Sequence, residues 1–155
     1  MIRTVTLVAC LVAGPALADF EPGTLTGDWT GGGNYTRGDS SGTLRCRLTI
    51  APGDGGTVLS GRCAGAEGAD DIGMLLTTSG GTWIAAPHGT EPDTTTRIRE
   101  LTGTASGDAL TLEATAPGES AALTIAPTDA GLRFASSRIT RSGREDSFVV
   151  DFTRQ

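Results

Sequence analysis

The sequence predicts an all-β fold: one antiparallel meander of about eight to ten strands, closed as a barrel or folded as a barrel-like sandwich, with one disulfide. Three observations carry this. Apolar residues alternate with polar ones over short runs. Turn residues separate those runs at short intervals; the chain has 23 glycines in 155 residues. Few segments combine strong helix formers without glycine, proline or a β-branched residue to interrupt them.

The first eighteen residues stand apart. Arg3 precedes an apolar run from Val5 to Val12, then Gly14, Pro15 and the small-residue ending Ala16-Leu17-Ala18. This is the pattern of a secretory signal peptide cut after Ala18. The run is too short to span a bilayer. Leu7-Val8-Ala9-Cys10 resembles a lipobox, which would make Cys10 a lipidated first residue. Its apolar run is shorter than such regions need, so the cut after Ala18 fits better. The expected organisation is therefore a signal peptide over 1–18 and a single β-domain over 19–155, in the periplasm or secreted.

Residues 19–23 read as a short flexible lead-in. A first strand is expected over 25–30, ended by a bend or bulge at Gly31-Gly32-Gly33. Residues 44–50 place Leu44, Cys46, Leu48 and Ile50 on one face, and 57–63 place Leu59, Gly61 and Cys63 on one face. Pro52-Gly53-Asp54-Gly55-Gly56 lies between them as a turn. A hairpin with the loop at 53–56 sets Ile50 opposite Leu59 and Cys46 opposite Cys63. Opposed Cα atoms lie about 4.5–5.5 Å apart, within reach of a disulfide. Cys46–Cys63 is thus the expected bridge, worth about 3 kcal/mol by loop entropy. A redox pair or metal site would need Cys-x-x-Cys spacing or added histidines.

Further strands are expected over 72–78 and 82–85, with a loop over 85–93. A strand over 94–104 is expected to carry a bulge between Ile98 and Leu101, where the apolar parity changes. Strands over 109–115, 121–126, 132–139 and 146–153 complete the meander. The expected core is Trp29, Leu44, Leu48, Ile50, Leu59, Leu110, Leu112, Leu123, Ile125, Phe134, Phe148, Val150 and Phe152.

Two resemblances follow from short motifs. Trp29-x-Gly31-x-Gly33, Arg45-Cys46-Arg47, Gly61-x-Cys63-Ala64 and a last strand ending in Arg154 resemble a group of uncharacterised secreted proteins of alphaproteobacteria. That likeness implies a fold and a location, and no chemistry. Gly27-Asp28-Trp29 resembles the start of the calycins, the lipocalin-like barrels. It implies that Trp29 closes one barrel end against an arginine, Arg154 or else Arg144, by a cation–π contact. A bacterial metalloprotease-inhibitor family shares this barrel, the tryptophan and a disulfide.

Charge narrows the partners. Without residues 1–18, 11 arginines face 18 acids, a net charge of −7, and there is no lysine. Nucleic acid and anionic membrane surfaces are poor partners for such a surface.

Candidate chemistry is sparse. Gly118-Glu119-Ser120-Ala121-Ala122 resembles a nucleophile elbow, but the segment is β-like, and the chain's one histidine, His88, comes earlier than that motif needs. His88, Glu91 and Asp93 are a weak metal set on a loop. The acidic pairs Asp70-Asp71 and Glu145-Asp146 need an apolar cleft to do acid–base work. Arg45, Arg47 and Arg62 share the polar face of the disulfide hairpin, with Arg47 opposite Arg62. Neighbouring acids would relieve that repulsion; otherwise the face is a candidate anion site. Asn34-Tyr35-Thr36 is formally a glycosylation sequon.

The resulting expectation is a non-enzymatic exported module without metal or cofactor. It would bind a small apolar ligand in the barrel mouth. The alternatives are a protease-inhibitor-like or other protein-binding module presenting 19–23 or 85–93, and an envelope structural component. The intact mass of the exported protein should equal residues 19–155 less two hydrogens. A lipidated species beginning at Cys10 would refute both the cut and the location.

Overall fold

The computed structural model describes residues 20–91 and 93–155. The proposed signal peptide, with Cys10, lies outside the described residues.

The alternating segments become ten strands. They are β1 (Gly27–Arg37), β2 (Ser40–Gly53), β3 (Gly56–Gly65), β4 (Gly68–Ser79), β5 (Thr82–Pro87), β6 (Leu101–Ser106), β7 (Ala109–Ala116), β8 (Glu119–Thr128), β9 (Gly131–Ile139) and β10 (Glu145–Arg154). Each pairs antiparallel with its sequence neighbours, and β1 pairs with β10, so the sheet closes as a barrel. Of the two architectures expected, the sandwich is thereby excluded. Closure leaves no unpaired strand edge.

Most turns contain two residues because the strands run further than their apolar cores. At Gly80-Gly81 both residues adopt positive φ, 58° and 82°, the geometry of a tight hairpin turn that follows the strand twist. The loop expected at 53–56 shortens in the same way. Gly53 pairs with Gly56, leaving Asp54-Gly55 as the turn.

The disulfide hairpin has the expected register. Cys46 faces Cys63 with Cα atoms 4.1 Å apart, and the bridge is formed. Ile50 faces Leu59, and Arg47 faces Arg62.

Four expectations are corrected. The glycines at 31–33 do not end a strand: β1 runs unbroken through them to Arg37. They let neighbours close in. A Cβ on Gly33 would overlap the Val149 carbonyl and the Val150 Cα, and one on Gly31 would meet Asp151 and Phe152. The strand expected over 94–104 begins only at Leu101. Residues 88–91 and 93–100 lie outside the strands, in the connection from β5 to β6, so the parity change at Ile98 marks its end and not a bulge. Ala86 and Pro87, expected only as loop, belong to β5. The lead-in is anchored: Phe20 is only 5% exposed, and its ring meets Trp83 edge-on at 5.5 Å. Leu44 and Phe148 pack against the core without being fully buried, whereas Phe20, Leu76 and Leu132 join it.

The meander gives the barrel two unlike ends. At one lie the turns after β2, β4, β6 and β8, the short 3-10 helix Pro22–Leu25 and the end of β10. Phe20, Trp29, Ile50, Phe152 and Leu132 fill this end. At the other lie residues 88–100, the turn at 140–144 and the remaining short turns. There the inward residues Leu44, Ile72, Met74, Leu101 and Phe148 are only partly buried.

The outward positions Arg45, Arg47, Arg62, Asp71, Glu113, Arg133 and Asp151 are exposed, unlike the apolar band of a lipid-facing barrel. Among the described residues no helix is long and apolar enough to cross a membrane.

Gly33→Ala should lower stability by about 1–3 kcal/mol through overpacking. Gly32→Ala, whose Cβ would meet nothing nearer than the Leu44 carbonyl at 3.5 Å, should be nearly neutral. Urea denaturation of the pair reads the difference.

Candidate functional site

The filled end joins the segment before β1 to the end of β10. Trp29 donates its indole N–H to the Leu25 carbonyl at 2.9 Å. Arg154, opposite Trp29 in the β1–β10 register, places its guanidinium carbon 4.7 Å from the indole centroid. The same guanidinium donates to the Thr26 and Thr24 carbonyls at 3.0 and 2.8 Å. Arginine and tryptophan thus fasten the 3-10 turn across this end. Arg144, the other partner considered for Trp29, is at the opposite end and pairs with Asp146.

The open end contains a cavity of ≈ 470 Å³. Met74, Ala85, Pro87, Leu101 and Ala121 form its barrel wall, and Asp93, Thr96, Ile98, Arg99 and Glu100 approach from the connection 88–100. Arg138 of β9 closes the polar side. This volume suits a small molecule.

The connection is held by carboxylates. Glu119 shares the inward face of β8 with Ala121, Leu123 and Ile125, and its side chain is 3% exposed. Its Oε2 accepts the Arg97 backbone N–H at 2.8 Å and the Thr96 hydroxyl at 3.1 Å. Arg141 Nε lies 2.8 Å from Oε1. The Arg97 hydrogen bond holds the Glu119 carboxyl below its ordinary 4.5; Thr96 and Arg141 act in the same direction, and desolvation opposes them. Asp93 accepts the Thr95 hydroxyl and amide through Oδ1, while Arg138 reaches Oδ2 at 3.3 Å. The Thr95 hydroxyl is the largest cause lowering the Asp93 pKa, followed by its amide; Arg138 adds to this against desolvation.

Charged pairs rim this end. Arg37 meets Asp70 at 2.9 Å and Arg144 meets Asp146 at 2.8 Å. Both are solvated enough to be weak in energy.

The arginine face lies elsewhere. Arg47 and Arg62 border a shallow groove of ≈ 260 Å³ on the outer surface, with Asp28, Thr49, Ser60 and Gln155. Asp71 of β4 meets Arg62 at 3.3 Å and offsets part of its charge. Among the described residues no carboxylate lies within 4.0 Å of Arg45 or Arg47. Asp28 is engaged by the Thr49 hydroxyl at 2.7 Å.

The remaining candidates are dispersed. Ser120 stands in β8, in a hairpin and not in a strand-to-helix elbow. Asp93 is occupied by Thr95 and Arg138. Among the described residues no three His, Cys, Asp or Glu side chains gather as a metal site. Asp70 and Asp71 pair with different arginines, Arg37 and Arg62. Glu119 falls before the strand expected over 121–126, and the sequence assigns it no role of its own. Its parity with Ala121 and Leu123 was the signal that it faces inward.

Comparison with protein-family models, with curated proteins and with solved structures gives no match for this chain.

The Glu119 and Asp93 carboxyls both have lowered values in the folded state. Their contribution is full above the ordinary carboxylate range, about pH 4, and is lost as the pH falls through the lowered values. Hydrogen exchange at the Arg97 amide should therefore be protected at neutral pH and lose protection in acid before the strand amides do. Equal protection at both pH values would refute this.

Proposed function

We propose that this protein is an exported, non-enzymatic binding module that holds a small, largely apolar molecule in the open end of its barrel. The observation that carries the reading is the ≈ 470 Å³ cavity, with Met74, Ala85, Leu101 and Ala121 on its wall and a filled core at the opposite end. Apolar walls supply affinity, and a few convergent polar groups, here Arg138, Arg99 and Glu100, supply orientation. The Cys46–Cys63 bridge supports an oxidising compartment such as the periplasm or the exterior. The Trp29–Arg154 stack is the contact that the likeness to calycins implied, here on a barrel of ten strands. An anionic group would find Arg47 free of a carboxylate partner among the described residues, a subordinate site on the outer face.

The inhibitor-like alternative loses one presented segment, because Phe20 is buried. An envelope component that binds its own kind has little apolar surface to use. Ile139 and Val149, 44% and 42% exposed, are the exposed large hydrophobics of the described residues.

Native mass spectrometry of the protein purified from its own cells tests the reading. The expected spectrum contains added mass that leaves on denaturation, and Ala121→Phe, which fills the cavity, should abolish it. Added mass that survives Ala121→Phe unchanged, or none in the unaltered protein, would sink the proposal.

A further inference from the structure

Glu119 is the one charged side chain that the described residues bury. A carboxylate in such a place is costly unless donors surround it. Its donors do not come from the strands beside it. The Arg97 amide and the Thr96 hydroxyl come from the connection 88–100, and Arg141 comes from the turn at 140–144. One carboxylate on the inner wall therefore ties down two segments at the mouth.

The connection has few other ties to the barrel. The His88 amide donates to the Gly73 carbonyl at 3.0 Å near its start, and Asp93 meets Arg138 at 3.3 Å. It joins β5 to β6, the shortest ladder in the barrel, which runs only over Trp83–Gly103, Ile84–Thr102 and Ala85–Leu101. β5 continues past Ala85 to Pro87 while β6 begins only at Leu101, so Ala86 and Pro87 have no β6 partner, beside the cavity that Pro87, Thr96 and Ile98 help to line. Among the described residues of this connection, 88–91 and 93–100, there is no helix or strand, and so long a link is uncommon in a compact domain and usually functional.

Resting on the binding reading above, we infer that residues 93–100 are a lid over the cavity and that Glu119 is its latch. Glu119 is a positioning residue: it does not line the cavity, so it governs the rate of passage and not the fit of the ligand. Breaking its hydrogen bonds frees Thr96 and Arg97 and opens the gap between Pro87 and Leu101. Ligand passes there without disturbing the long ladders of the other strands.

Stopped-flow fluorescence with 1-anilinonaphthalene-8-sulfonate, on the full chain, tests the latch. Glu119→Gln weakens it from the barrel side. Arg97→Pro removes the amide donor from the lid side and leaves every strand residue in place. Circular dichroism checks that each variant keeps its barrel. Association and dissociation should both accelerate roughly tenfold, the scale of one lost hydrogen bond to a charged group, with little change in Kd. Unchanged rates in both variants, or a weaker Kd at an unchanged association rate, would overturn the latch and leave the cavity reading standing. Loss of the barrel in both variants would assign these contacts to folding and overturn it too. No saturable binding to the unaltered protein, or binding indifferent to Ala121→Phe, would overturn the cavity reading itself.

Discussion

Closure of the sheet by β1 on β10 is the constraint from which the rest follows. A ring of ten strands encloses a wide interior, and that interior must be filled or left open. The chain does both. At one end it spends its aromatic residues: Phe20 against Trp83, Phe134 against Phe152, and Trp29 beneath Arg154. At the other end, the inward positions of β7 and β8 are Glu119 and the alanines Ala114, Ala116 and Ala121, and the alanines are too small to meet across the space. Glycines on β1 act in the opposite sense. At Gly31 and Gly33 the strand lies so close to β10 that no Cβ fits, and the barrel is drawn in there.

Much of this architecture was legible in the sequence. The period-two alternation gave the strands, and the cysteine positions gave the register of the disulfide hairpin to the residue. Pairings remote in sequence were less accessible. Alternation says which residues share a face, and it does not say whether the first strand meets the last. The glycine triplet was misread because glycine is associated with breaks, whereas here it serves close approach between strands. Phe20 was misread because its neighbours Glu21, Pro22 and Gly23 have loop composition, and only the tertiary fold supplies the Trp83 ring.

The site was less legible than the fold for a similar reason. A cavity is space without side chains, and no motif announces it. Its contributors come from β4, β5, β6, β8, β9 and the connection 88–100, and in the sequence each looks ordinary. Glu119 illustrates the difficulty. It lies two residues before the expected start of its strand at 121, where turn residues are expected, yet the strand's own periodicity carries it inward. Arg47 and Arg62 show the converse. Their opposition was predictable from the hairpin alone, but Asp71, which offsets Arg62, comes from a third strand.

The pairing of β1 with β10 also sets an order of events in synthesis. Every other ladder joins sequence neighbours and can form as soon as both strands exist. The first strand has one partner nearby and must wait for the other until nearly the whole chain has been made. Until then, Gly31 and Gly33 face no neighbour on one side, and Arg154 of β10 cannot cover Trp29. Contacts so distant in sequence form slowly, and the barrel is complete only when its final strand arrives. A polypeptide with this requirement stays open while it is still emerging. That condition is compatible with threading through a narrow channel, and a fold completed early by its N-terminal half would not be.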